Sequence, residues 1–213
     1  MPTPSPGPTV VVVPPALALL PEHAGLTDPV ADLRAAVTSA VRDLLDARDP
    51  QAAGDGARVV ALAAGPTDDD VRRGAPASAG ERVAAALLAG TPYEVVTSVP
   101  SDARAVLVLA NGSAARGEKA PGHLDERAHA YDADLGAALG AAGAGPDAAA
   151  LADLDTALGE TLWAEVATLP ALGAYLAAQE AAGLAWSSAT SYDADPFGVQ
   201  YWVVRLTATP PRG

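Results

Sequence analysis

The chain has 213 residues, half of them apolar but only 4% aromatic, and carries a formal net charge of −13 from 26 acidic against 13 basic side chains. That length suffices for one sizeable core, and the acidic balance argues against nucleic-acid and anionic-membrane partners, because phosphate binding needs a basic face. Cysteine is absent, which excludes disulfides, zinc-thiolate sites, iron–sulfur clusters and cysteine nucleophiles.

The opening stretch has four prolines and no basic region before its apolar run. It does not read as a signal peptide or a membrane span, so a cytoplasmic protein is expected, with residues 1–8 a disordered lead-in. Four valines at 10–13, stopped by Pro14 and Pro15, predict a strand buried on both faces. Asp28 and Pro29 are suited to open a helix over 29–48, with Val30, Leu33, Val37, Val41, Leu44 and Leu45 on one face. Residues 58–64 predict a second buried strand, ended by Gly65 and Pro66. The acidic run at 68–70 and the arginines 72 and 73 read as a solvated loop.

A short helix is expected over 79–89 and a strand over 93–98. The third clear buried strand is 105–110. Helices are expected at 124–141, 147–159 and 161–181, the first two separated by the Gly/Pro segment 143–146. Strands at 183–192 and 199–207, joined by a turn at 193–198, predict a closing β-hairpin. The alternation gives an α/β fold: a single domain with a central mixed, largely parallel sheet flanked by helices on both faces. Ligands in such sheets bind where strands end and loops begin, so the candidate loops follow Val13, Ala64 and Ala110.

The loop after Ala110 is the richest in chemistry. Asn111, Gly112 and Ser113 form a small polar turn, followed by Arg116, Glu118, Lys119, His123, Asp125, Glu126 and Arg127. Backbone N–H groups of the turn, with Arg116 or Lys119, suit an anion or substrate pocket. Asn111, Ser113, Arg116, Glu118, Lys119 and His123 are therefore the candidate ligand-binding residues. The competing reading is a solvated turn with internal ion pairs, in which Asp125 and Glu126 support the next helix start. Ser113 lacks the elbow pattern of a serine hydrolase, and no phosphate-binding glycine loop is present. His123 and His129 are wrongly spaced for a helical metal pair, which leaves His23 and Glu22 as weak metal candidates. Trp163, Trp186 and Trp202 read as core or interface residues.

Four segments in matching order resemble the class III extradiol ring-cleavage dioxygenase superfamily, in its LigB-type catalytic-subunit branch and its subunit-B-like actinobacterial members. They are 11–22, where a strand runs into Pro14, Pro15 and then Pro21 and Glu22; 58–66; 109–132, from Leu109 through Asn111, Gly112, Ser113 and Arg116 to Pro121, Gly122, His123, Tyr131 and Asp132; and 195–202, with Gly198, Val199 and Tyr201. The resemblance implies one LigB-like α/β domain over 9–208, followed by a tail at 209–213. It also implies Fe(II) held by two histidines and a glutamate, with a further histidine as acid/base.

This chain departs from that pattern. Val13 stands at the first ligand position, the second loop at 65–68 has no histidine, and Ala114 stands at the acid/base position. Glu165 is the candidate for the distal glutamate. Valine and alanine cannot coordinate iron or move a proton, so ring cleavage and a bound cofactor are not expected. The leading expectation is a non-catalytic or repurposed member that binds a small molecule or partner in the old cleft. One alternative is a metal-dependent oxidoreductase with a relocated site, using His23, His123 or His129 with Glu22, Glu118 or Asp125. Another is a homo-oligomeric interaction protein whose interface includes Trp186, Tyr192, Phe197 and Trp202.

Overall fold

The computed structural model describes residues 7–23, 27–48 and 58–210. Its centre is one six-stranded sheet of β1 (Thr9–Val13), β2 (Val59–Leu62), β3 (Tyr93–Val96), β4 (Ala105–Leu109), β5 (Ala185–Ala194) and β6 (Tyr201–Thr209), in the order β3-β2-β4-β1-β6-β5. The first four strands run parallel, and β6 joins β1 antiparallel, with β5 antiparallel to β6. This is the expected mixed, largely parallel α/β sheet with its closing hairpin.

The valine run is buried throughout because it lies between β4 and β6 with helices on both sides. Val11 and Val13 pack with Leu33, Val37, Val41 and Leu44 of α1 (Ala31–Ala47), together with Val83 and Ala84 of α3 (Ala79–Leu87). Val10 and Val12 face the opposite layer, which contains Tyr131 and Leu135 of α4 (Ala128–Ala138), Leu151 of α5 (Ala148–Ala152), and Leu172 and Leu176 of α7 (Leu169–Ala181). The period of two thus divides one strand between two cores. α5 and α7 approach closely at Gly173, where a Cβ would lie 2.4 Å from the Ala152 backbone nitrogen.

Several expectations shift. α1 begins at Ala31, because Asp28 turns back to accept the Val30 N–H at 3.0 Å and pairs with Arg34 at 2.6 Å. The acidic run expected as a loop forms α2 (Asp68–Arg72). It is closed by a reciprocal cap in which Asp70 accepts from the Thr67 N–H and hydroxyl while the Asp70 N–H donates to Thr67 Oγ1. The helix expected from 124 starts at Ala128. The one expected over 147–159 is two pieces, α5 and α6 (Thr156–Thr161), because the Asp155 side chain caps a new start at Thr156 by accepting from the Leu158 N–H. The long helix expected from 161 begins only at Leu169, with Pro170 in its first turn. The expected lead-in at 1–8 falls outside the described residues as far as residue 6, and the Pro8 carbonyl accepts from the Ala208 N–H at 2.9 Å. Of the tail expected at 209–213, Thr209 closes β6, and 211–213 lie outside the described residues.

Connectivity creates the key feature for function. After β2 the chain moves outward to β3, whereas after β4 it crosses to the layer of α4–α7 and the hairpin. β2 and β4 are neighbours, so the loops leaving their carboxyl ends diverge and open a crevice between them. This is a topological switch point, the usual ligand position in open α/β sheets.

Candidate functional site

The turn at 111–113 folds inward and does not line a mouth. Ser113 is fully buried, with its N–H and Oγ donating to the Asp132 carboxylate at 2.7 and 2.6 Å. Arg116 donates to Asp132 at 3.2 Å, to Gln200 Oε1 at 2.6 Å and to Asp195 at 3.0 Å. The Asn111 side chain is buried and donates to the Gly112 carbonyl. Gly112 must be glycine: a Cβ there would lie 2.6 Å from Asp132 Oδ1 and 2.8 Å from the Trp202 ring. The Ser113 hydroxyl is spent inside the protein and the Arg116 guanidinium is tied up at the rim of a second hollow of about 350 Å³, so that together they lock the loop after β4 to the hairpin turn and to α4. Internal hydrogen bonds engage Asn111 and Ser113, and ion pairs engage Arg116.

The remaining candidates lie outside that network. Glu118, Lys119 and His123 are exposed, and His123 occupies a left-handed backbone position at φ 59°. Asp125 is held down at about 2 by the Arg127 guanidinium and N–H beside it. Glu22 pairs with Arg82 at 3.1 Å, which does not bring it into a ligand set with the exposed His23. Among the described residues, no three His, Asp or Glu side chains come together as metal ligands. Trp202 is core, and Trp186 packs at 6.2 Å against Tyr175. Of the four expected interface aromatics, only Phe197 is largely exposed.

The switch-point crevice is a cleft of about 810 Å³. One wall is the loop after β2, from Ala64 through Gly65, Pro66 and Thr67 to Asp70. Ser78 fixes its base: it donates to the Ala64 carbonyl at 2.7 Å and caps α3 through Glu81 in a capping box. The facing wall is the segment 162–167. Its Asn111–Glu165 bridge, and the Ala114 N–H to Leu162 carbonyl bond at 2.9 Å, hold it alongside the chain leaving β4. Burial alternates along this wall. Leu162, Ala164 and Val166 enter the core, whereas Trp163, Glu165 and Ala167 are exposed on the cleft side.

Trp163 is 63% exposed at φ 57°, a left-handed conformation that a bulky residue adopts only under constraint. Bonds from its N–H to the Glu160 carbonyl and from the Ala164 N–H to the Gly159 carbonyl impose it. Glu165 reaches solvent through the cleft yet is hemmed by protein, and that burial, followed by the charge of Asp70, pushes its carboxyl above the ordinary value. Asp70 goes the other way, lowered by the Thr67 N–H and hydroxyl. Asp70, Glu160 and Glu165 bring negative charge to the cleft, and the described lining residues include no Lys, Arg or His.

Of the residues that line this cleft, the sequence singles out only Glu165 and the loop after Ala64 as site candidates. Trp163 gives no signal beyond being a tryptophan. The residues do not fit the iron implied by the resemblance. Val13 is fully buried in β1, and the described lining of the cleft offers carboxylates and hydroxyls but no imidazole. No helix among the described residues is long and apolar enough to cross a membrane. No protein-family model matches the chain, and no curated protein matches it at a significant level.

Proposed function

We propose that this chain is a repurposed relative of the extradiol dioxygenases, in which the switch-point cleft binds a small molecule without iron. One observation carries the reading. The loop at 65–67, which the resemblance makes the family's second metal-binding loop, and Glu165, its candidate distal glutamate, are far apart in sequence; they line the same cleft. Val13, the third such position, is paired in register with Leu109 at the cleft floor. Across those positions only Thr67 and Glu165 carry side-chain oxygens and Val13 carries no donor, so a cleft remains without the donor set that iron chemistry needs. The relocated-metal reading draws no support from the positions of His23, His123 and His129.

The test has two arms. After anaerobic Fe(II) loading, elemental analysis and a catechol assay should find neither stoichiometric iron nor ring-opened product. A fragment screen read by backbone amide shifts should give hits that move Trp163 and Glu165. Stoichiometric iron with ring cleavage would sink the repurposed reading, and hits confined to other surfaces would sink the cleft.

A further inference from the structure

We infer that the cleft selects a small organic cation, an ammonium-bearing group held between the Trp163 indole and the carboxylates of Glu165 and Asp70. The inference rests on the reading of this cleft as a binding site and adds the chemical class of its ligand. The cleft itself supplies the first argument. At about 810 Å³ it falls in the range of small-molecule sites and sits at the fold's switch point.

Its lining supplies the second. Every charged residue described there is acidic, on both walls. Arg73 acts on Asp70 but does not line the cleft. An anionic ligand, a catecholate included, would meet repulsion from both sides with no metal ligand set to offset it. A single metal ion is disfavoured too, since the described acidic side chains do not converge as a three-ligand group.

Trp163 supplies the third. It is the most exposed of the three tryptophans, and it stands on the cleft wall with its ring backed by Gly122, so close that a Cβ on that glycine would lie 3.4 Å from the indole Cγ. An aromatic ring and carboxylates lining one cleft are the groups that recognise an ammonium, the ring through its quadrupole and the carboxylates through charge. The chain's net charge of −13 adds a favourable long-range field.

The test uses the full chain and three probes of one shape: benzyltrimethylammonium, benzyl alcohol and benzoate. Each is titrated at constant ionic strength and followed by amide shifts and tryptophan fluorescence. The ammonium should bind saturably, shift Trp163 and Glu165, and outcompete the other two. Its affinity should fall roughly tenfold in Trp163→Ala, survive in Trp163→Phe, and fall in Glu165→Gln, with thermal melts confirming that each variant is folded. Glu165→Lys should reverse the preference toward benzoate.

Preferential binding of benzyl alcohol or benzoate to the cleft overturns the cation inference and leaves the cleft reading standing. Ammonium binding unchanged in both Trp163→Ala and Glu165→Gln places the cation elsewhere and overturns it too. Stoichiometric Mn²⁺ that displaces the ammonium from the same carboxylates would assign the site to a metal instead. A flat response to all three organic probes overturns the inference and the cleft reading together.

Discussion

Asp70 and Glu165 bring like charge to one cleft from opposite sides of the switch point, and burial first, then the ionised Asp70, favours the protonated form of Glu165. A carboxyl raised in the folded state contributes stability that is present below its ordinary range and is lost as pH rises through the raised value. At neutral pH the Glu165 charge is therefore a cost. Glu165→Gln should raise Tm by about 1–2 °C at pH 7, a small effect because the cleft is open to solvent. Melts of the two proteins should converge as pH falls below the carboxylate range. Equal Tm at pH 7 would show that the Glu165 charge carries no such cost.

The Ser113–Asp132–Arg116 network predicts a loss of a different size. Asp132 is almost wholly buried and accepts from the Ser113 N–H, the Ser113 hydroxyl and Arg116. Asp132→Ala leaves the buried Ser113 N–H and hydroxyl without an acceptor, while Arg116 keeps Gln200 and Asp195, and should cost about 3 kcal/mol in urea unfolding. Ser113→Ala removes one bond and should cost about 1–2 kcal/mol. Neither side chain lines the switch-point cleft, so probe binding there should survive wherever the variant is folded. Loss of binding in well-folded Ser113→Ala would return the site to this loop.

Trp163→Gly separates stability from function. The left-handed position costs a side chain on the order of 1–2 kcal/mol, while glycine adds unfolded-state entropy of roughly 0.5–1 kcal/mol. The variant should hold its stability or gain up to about 1 kcal/mol, and should lose the ammonium probe. A clear drop in stability would show that the exposed indole packs structurally.

Lys119 is a candidate ligand contact by sequence, and the fold leaves it exposed, outside both the buried network and the cleft lining. Lys119→Ala should change unfolding free energy by less than about 0.5 kcal/mol. It should leave probe affinity unchanged as well. Weakened binding in this variant would extend the site beyond the cleft.

How far the sequence can be read depends on how local each signal is. The runs at 10–13, 59–62 and 105–109 are continuous apolar segments between breakers, and a buried parallel strand requires little more. The wall at 162–167 is hidden by composition. Alanine and leucine on both sides carry helical propensity, and a six-residue alternation within them looks like part of a helix. Pro170 marks where α7 starts, since proline suits a first turn, but that cue competes with a long apolar pattern. The Asp132–Gln200–Arg116 network joins three segments through tertiary contacts, and no spacing rule reaches across them. For the same reason Arg116 and Ser113 read as a pocket: buried and functional polar groups share an alphabet.

The position of β1 has a consequence for how the chain is made. The valine strand has β4 on one edge and β6 on the other, and the Ala208 N–H to Pro8 carbonyl bond fastens the far end of the hairpin beside the start of the sheet. On the ribosome, β1 can acquire its parallel neighbour while α4 to α7 are still being synthesised, but its second edge stays bare until the hairpin emerges. A bare edge of four valines is a template for any passing strand. The nascent chain is thus most exposed to aggregation in that interval, and a chaperone that shields an apolar strand edge would be needed most before translation reaches β6.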